Sequence, residues 1–269
     1  MGLVFHTKIM KNNIIAIICL ICILGCSSQN KSPLIPKKGN LIFKQEINII
    51  NQSLIDSTLK SAEAKIMEGA AYTMGKSGQK QTMDSMDYAS SVSLLQNMIM
   101  GTITNNFTPN LQKKWKEERS FRFQDSIIIS KEKNTLRNLK HAVIHRGKET
   151  VTIKTLADTT KNKAKNIPYK YVPEDNLKVS EFRNETKEIN GYECFKIVTT
   201  SQDIIKNANN LEINYTHTLY VTEELQCKYH PVFKYRSILK KYYPLEITET
   251  NDLVKGYEKI YSIKEMKLE

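Results

Sequence analysis

The sequence predicts an α+β fold of mainly β character, a curved antiparallel sheet or half-open barrel with a helical hairpin packed on it. Three observations carry this. Apolar and polar residues alternate with period two in run after run between Phe121 and Leu268. Turn residues interrupt those runs roughly every dozen positions, and Asn190-Gly191 is the strongest hairpin signal among them. One stretch, about 51–104, instead repeats its apolar residues at helical spacing.

The chain begins with a different kind of segment. Lys8 and Lys11 precede an apolar run from Ile14 to Leu24, which ends at Gly25-Cys26-Ser27-Ser28. A positive start and a short apolar core are the parts of an export signal, and the run is too short to span a bilayer as a helix. Ile23-Leu24-Gly25-Cys26 resembles the lipobox of bacterial lipoproteins. The resemblance implies that residues 1–25 are removed as a signal peptide and that Cys26 carries the acyl chains. Several chains together hold a protein to a membrane stably, where one holds only marginally. By the same resemblance, Ser27 rather than an acidic residue after the cysteine suits transfer to the outer membrane, and the expected location is lipid-anchored there, facing the periplasm.

Residues 26–40 form the acylated cysteine and a polar tether broken by Pro33 and Pro36. The domain proper spans 41–269. Leu41, Phe43, Ile47 and Ile49 alternate with polar residues as a first strand. Asn51-Gln52-Ser53 offers a helix N-cap, and Ile55, Leu59, Ala62, Ile66 and Ala70 follow on one helical face. A second helical run carries Met83, Met86 and Met98, and six of the nine methionines fall between Met67 and Met100. Methionine fills irregular core gaps, and it also makes adaptable lids over apolar ligands.

Phe121, Phe123, Ile127 and Ile129 then read as one strand face, and 141–146 and 150–156 as a hairpin around Gly147-Lys148. Pro173-Glu174-Asp175-Asn176 is a turn, and Asn190-Gly191 joins Leu177–Glu188 to Tyr192–Thr200. Ile213, Tyr215 and Leu219 share a face of a long strand, and 242–250 and 257–268 complete the set.

The formal net charge is +12. Export argues against nucleic acid as partner, and the basic residues are dispersed among acids rather than arranged in an aromatic-lined stripe. They are densest from Lys113 to Lys148, either as a solvated surface or as a face toward anionic lipid headgroups. Of five cysteines, Cys194 and Cys227 remain once Cys19, Cys22 and Cys26 are assigned to signal and anchor. An even pair in an oxidising compartment suggests a disulfide, with two buried free thiols as the other reading.

No catalytic constellation emerges. The glycines at Gly69 and Gly75 are spaced wrongly for a phosphate loop, and neither Gly-x-Ser-x-Gly nor HExxH occurs. His141 and His145 could share a face, but a metal site would need His217 or His230 as a third ligand. The expectation is therefore a non-enzyme with no cofactor and no metal.

Asn190-Gly191-Tyr192-Glu193-Cys194-Phe195-Lys196-Ile197, then Leu219 to Leu225 and Tyr243-Pro244-Leu245-Glu246-Ile247, resemble the C-terminal half of envelope lipoproteins. The families concerned are the LolA/LppX-like superfamily, the GLPGLI-type proteins and related uncharacterised families. The resemblance covers roughly 177–268, and the Gly-Leu-Pro-Gly-Leu-Ile stretch itself is absent. It implies a half-open antiparallel barrel around an apolar cavity. The expected function is non-catalytic binding of an apolar or amphipathic ligand, a lipid or a lipoprotein acyl chain, on the sheet's concave face. The expected lining is Phe121, Phe123, Ile127, Ile129, Ile213, Tyr215 and Leu219, with Met83, Met86 and Met98 as a lid. The alternative is a structural or assembly subunit of an envelope protein complex, whose concave side is filled by its own side chains.

Overall fold

A computed structural model describes residues 32–76, 107–114, 116–134, 137–154, 165–205 and 210–269, with scattered helical positions between 89 and 101. Cys26, the signal segment, Met83, Met86 and Met98 lie outside the described residues. Leu34–Glu269 forms one compact unit. No helix among the described residues is long and apolar enough to cross a membrane.

The unit is one curved, unclosed antiparallel sheet with a few helices. Its strands are β1 (Lys38–Ile49), β2 (Glu118–Gln124), β3 (Ile127–Asn134), β4 (Arg137–His145), β5 (Thr150–Lys154), β6 (Lys165–Pro168), β7 (Lys178–Ile189), β8 (Tyr192–Ile205), β9 (Leu211–Thr222), β10 (Tyr243–Asn251) and β11 (Tyr257–Leu268). Their order is β6-β5-β4-β3-β2-β1-β11-β10-β9-β8-β7, so the first strand lies in the middle and closes against the last. The helices are α1 (Gln52–Lys76), α2 (Pro109–Lys114) and α3 (Arg236–Leu239).

Local chemistry explains the joints. Asn51 caps α1, its side-chain oxygen accepting the Leu54 N–H at 3.0 Å. Ile55, Ala62 and Ile66 then form the buried face that the helical spacing predicts. Asn190 and Gly191, both at positive φ, make the two-residue turn between β7 and β8, where Ile189 pairs with Tyr192. At Gly256, φ is +94° and a Cβ would lie 2.5 Å from the Asn51 carbonyl oxygen, so glycine is what lets α1 start against β11.

Two edges need protection from pairing with other chains. β6 is short and ends in proline. β7 is long and exposed, but it carries charges at half of its positions and its register slips between Phe182 and Thr186. The polar tract that the sequence marks as tether through Asn40 is held from Leu34 onward. Leu34 bridges to Leu225 in parallel, and β1 has begun by Lys38.

One expectation fails by a single step of phase. Phe121 and Phe123 are buried, but Phe123 pairs with Ile128, not with Ile127 or Ile129. The turn between β2 and β3 has two residues, Asp125 and Ser126, so odd positions on β2 share a face with even positions on β3. Ile127 and Ile129 therefore sit on the outer face, and fully buried Ile128 takes the inner position.

The inner face carries two apolar clusters. One gathers Ile55, Ala62 and Ile66 of α1 over Ile213, Tyr257 and Val254. The other is built by the segment between β9 and β10, which folds back over the sheet. Tyr229, Phe233, Tyr235, Ile238 and Leu239 from that segment pack on Leu41, Phe43, Ile197, Leu219 and Ile247. Their rings meet edge-on or tilted, with Phe233 and Tyr235 centroids 5.0 Å apart.

Candidate functional site

The aromatic segment covers β8 to β11 and β1 and stops short of the far edge. On the β3–β6 side, among the described residues, the inner face stays open as a groove of about 290 Å³. Its floor is Phe121, Ala142, Ile144, Val151, Ile153 and Ile167. Cross-strand register puts them together, since Ala142 pairs with Ile153 and Val151 pairs with both Ile144 and Ile167. Alternation on three short strands thus turns one apolar face into a single surface. Ile153 remains about half exposed there, at 48%.

The wall of the groove is the flank of the aromatic segment, with Tyr169, His230 and Pro231. His230 looks like a chemical group in the sequence and is a structural one here. Its Nδ1 accepts the N–H groups of Val232 (3.0 Å) and Phe233 (2.9 Å), which leaves Nε2–H to donate to the Pro244 carbonyl at 3.0 Å. Both ring nitrogens are spent on backbone. Burial, helped by the nearby Arg119 charge and opposed by the Pro244 hydrogen bond, lowers its pKa to about 3. It is a neutral ring packed at a tilt between Phe43 and Tyr243.

The lining also carries the basic Arg119, Lys131, Lys170 and Lys234 and one carboxylate, Glu132. Arg119 is held from below by Glu117 at 2.5 Å.

A second polar feature crosses the sheet beneath the covered half. Lys259, Glu249, His217 and Thr199 stand side by side on β11, β10, β9 and β8. Glu249 lies 3.2 Å from Lys259 and 3.5 Å from His217. Burial alone would raise the Glu249 carboxyl, but the Lys259 charge and the His217 hydrogen bond outweigh it and hold it at about 2. His217 Nδ1 and the neighbouring Thr199 hydroxyl are both buried without a hydrogen-bond partner. Acid, imidazole and hydroxyl in a row resemble a nucleophilic relay in composition. Phe233 and Tyr235 lie against the His217 ring, however, at centroid distances of 5.7 and 6.0 Å. The row sits between the two apolar clusters and does not line the groove.

The sequence-predicted site residues divide accordingly. Phe121 lines the groove. Phe123 is buried on the same face. Leu219 lies under the aromatic segment, while Ile213 and Tyr215 pack with α1, so none of these three borders the groove. Cys194 and Cys227 are buried free thiols rather than a disulfide. Cys194 lies on β8 opposite Lys187, whereas Cys227 follows β9 in the aromatic segment. Burial pushes the Cys194 thiol up to about 12 and raises Cys227 as well, so neither is poised as a nucleophile. His145 is within hydrogen-bond distance of Thr152 at 3.0 Å, while His217 and His230 are buried elsewhere. Among the described residues no group of His, Cys, Asp and Glu could hold a metal.

The residues sequence reasoning missed are Ala142, Ile144, Val151, Ile153 and Ile167, and the covering aromatics. A usable signal was present in Tyr229-His230-Pro231-Val232-Phe233-Lys234-Tyr235. Such an aromatic density around a proline is too apolar for an exposed loop and cannot form a central strand.

No family model matches this chain, and no curated protein does. A solved domain from Vibrio parahaemolyticus, assigned to outer membrane lipoprotein sorting, aligns with 57% of this chain and 72% of its own length. The identity is 8% and the TM-score 0.14, and a likeness of that size carries no argument.

Proposed function

We propose that the chain is a non-catalytic, lipid-anchored envelope protein that holds the apolar part of a lipid-like ligand in the open groove beside its aromatic segment. The observation that supports this is the groove itself: an apolar floor that the described residues leave uncovered, on an inner face whose other half is packed shut. Its volume is at the small end for ligand sites. The Cys26 anchor and the outer-membrane location belong to the same proposal and rest on the lipobox resemblance.

A second reading keeps support from the covered half. Tyr229, Phe233 and Tyr235 fill the inner face with the chain's own side chains, as a structural or assembly subunit would require.

The test is to produce the 34–269 unit in the periplasm behind an ordinary cleavable signal, and to extract and identify what co-purifies. The binding reading expects a chain-bearing lipid near one per protein, lost in Ala142→Trp and in Ile153→Glu although both still melt cooperatively. No lipid with the wild type, or the same lipid with both variants, would leave the structural reading standing.

A further inference from the structure

A lipid-anchored domain meets its membrane with one of its ends, and the point where the chain enters the sheet sets which. We propose that the end around Ile35, Lys37, Lys38 and Lys148 is a docking face for an anionic phospholipid surface, with the Ile35 side chain inserted among the headgroups. The inference rests on the Cys26 anchor and not on the groove holding a ligand.

The backbone fixes Ile35 from both sides. The Leu34 N–H donates to the Glu224 carbonyl at 2.7 Å, and the Leu34 carbonyl accepts the Gln226 N–H at 2.9 Å. The Pro36 carbonyl accepts from the Arg146 guanidinium at 2.7 Å, and the Lys37 N–H donates to the Glu269 carbonyl at 2.6 Å. Leu34 packs onto the aromatic cluster, whereas its neighbour Ile35 is 53% exposed. Because this backbone is already ordered, burying the Ile35 side chain in a bilayer interface costs little further entropy.

Lysines are brought to the same end. The Asp125 N–H donates to the Lys37 carbonyl at 2.7 Å and the Arg146 N–H to the Ser126 carbonyl at 2.9 Å, so the β2–β3 turn and the β4–β5 loop meet the entering chain. Lys148 of that loop thus joins Lys37 and Lys38, and all three are exposed. Lys228 is held by Glu149, which Arg236 also reaches at 3.4 Å. Asp125, Glu224 and Glu269 keep the local balance only modestly positive. Apolar insertion and charge therefore act together, each being weak alone.

The anchor makes such weak contacts count. Ile35 follows Cys26 by nine positions, a reach of at most about 30 Å. An acylated Cys26 keeps this end beside the headgroups, and a short tether raises the effective concentration of the two surfaces. Docking there also sets the groove near the leaflet. The Tyr169 N–H donates to the Glu149 carbonyl at 2.7 Å, so the groove wall adjoins the same loop.

The experiment uses residues 26–269 with Cys26→Ser, so that no acyl chain contributes. It measures co-sedimentation with vesicles of phosphatidylcholine alone and of phosphatidylcholine mixed with phosphatidylglycerol. Binding should favour the mixed vesicles by about tenfold and collapse at high salt. Lys37→Gln/Lys38→Gln/Lys148→Gln should weaken it by about tenfold, and Ile35→Ser by about fivefold. The chain's net charge of +12 attracts it to such vesicles in any orientation, so a matched control decides. Lys60→Gln/Lys65→Gln/Lys255→Gln removes the same charge from α1 and the β10–β11 turn, at the opposite end of the strands, and should cost under about twofold. All of these side chains are exposed, so the variants fold as the parent does. Equal losses in the two triple variants, or no preference for the mixed vesicles, would overturn the docking face and leave the anchor standing. Unmodified Cys26 in the full chain recovered from cells would overturn the anchor, and the vesicle comparison separates the two failures.

Discussion

The two halves of one inner face have been treated differently. Over β8 to β11 the chain returns on itself and seats Tyr229, Phe233 and Tyr235 on the sheet, so Leu219 and Ile197 are wholly buried. Over β3 to β6 the same alternation of apolar residues ends in Ala142, Val151 and Ile153, and nothing described lies above them except the flank of that segment. The floor chemistry is alike in both halves. What differs is whether the described residues supply a cover, and an uncovered apolar floor is where another molecule has something to gain by burial.

The largest expected contrast is in stability. Phe233→Ala should cost about 3–5 kcal/mol, as for other buried aromatics, because it opens a cavity against His217 and Tyr235. Urea unfolding of the 34–269 unit measures it, and a cost under ~1 kcal/mol would mean the covered half is loosely packed.

Acid should undo the covered half next. His230 is neutral in the fold down to about pH 3, whereas an unfolded histidine takes its proton near 6.5. The unfolded state therefore binds more protons between those values. Stability is fully present above pH 6.5 and falls as pH drops toward 3, by on the order of 4 kcal/mol. Glu249, held at about 2, adds loss of the same sign below its ordinary value near 4.5. His230→Asn keeps an oxygen for the Val232 and Phe233 N–H groups and should flatten the loss between pH 6.5 and 4.5. An unchanged slope in that window would show that the ring does not set it.

A smaller effect is expected in the charged row. Glu249→Gln leaves Lys259 without its counter-charge and should cost about 2 kcal/mol, less than a fully enclosed pair because some solvent reaches it. The melting temperature against ionic strength checks this, with little salt dependence expected. Smallest of all, Ile153→Ala in the open half should change stability by under ~1 kcal/mol, since its side chain is already half in water. The same variant should weaken apolar-probe binding, so stability and binding separate in the open half and not in the covered one.

Much of this fold was legible in the sequence, and the reasons are local. Asn51 needs only its own side chain to cap α1, and Asn190-Gly191 needs only its own backbone to turn β7 into β8. Period-two and helical spacing likewise show which side of each element is buried. The groove was not legible, because it depends on relations between elements. A two-residue turn at Asp125-Ser126 reverses the phase of β3 and moves Ile127 and Ile129 outward, and alternation alone does not count turn residues. The central place of β1, between β2 and β11, is a long-range pairing with no local mark. Leu219 and Ile153 are equivalent as letters in an alternating strand, and only the return of residues 223–242 makes one covered and the other open.

The measurement that bears most directly on this account is a titration of N-phenyl-1-naphthylamine into the 34–269 unit, wild type beside Ala142→Trp. The account predicts saturable binding at one site per protein, with affinity at least tenfold weaker when the indole fills the floor. Binding that is absent in the wild type, or equal in both proteins, would contradict it.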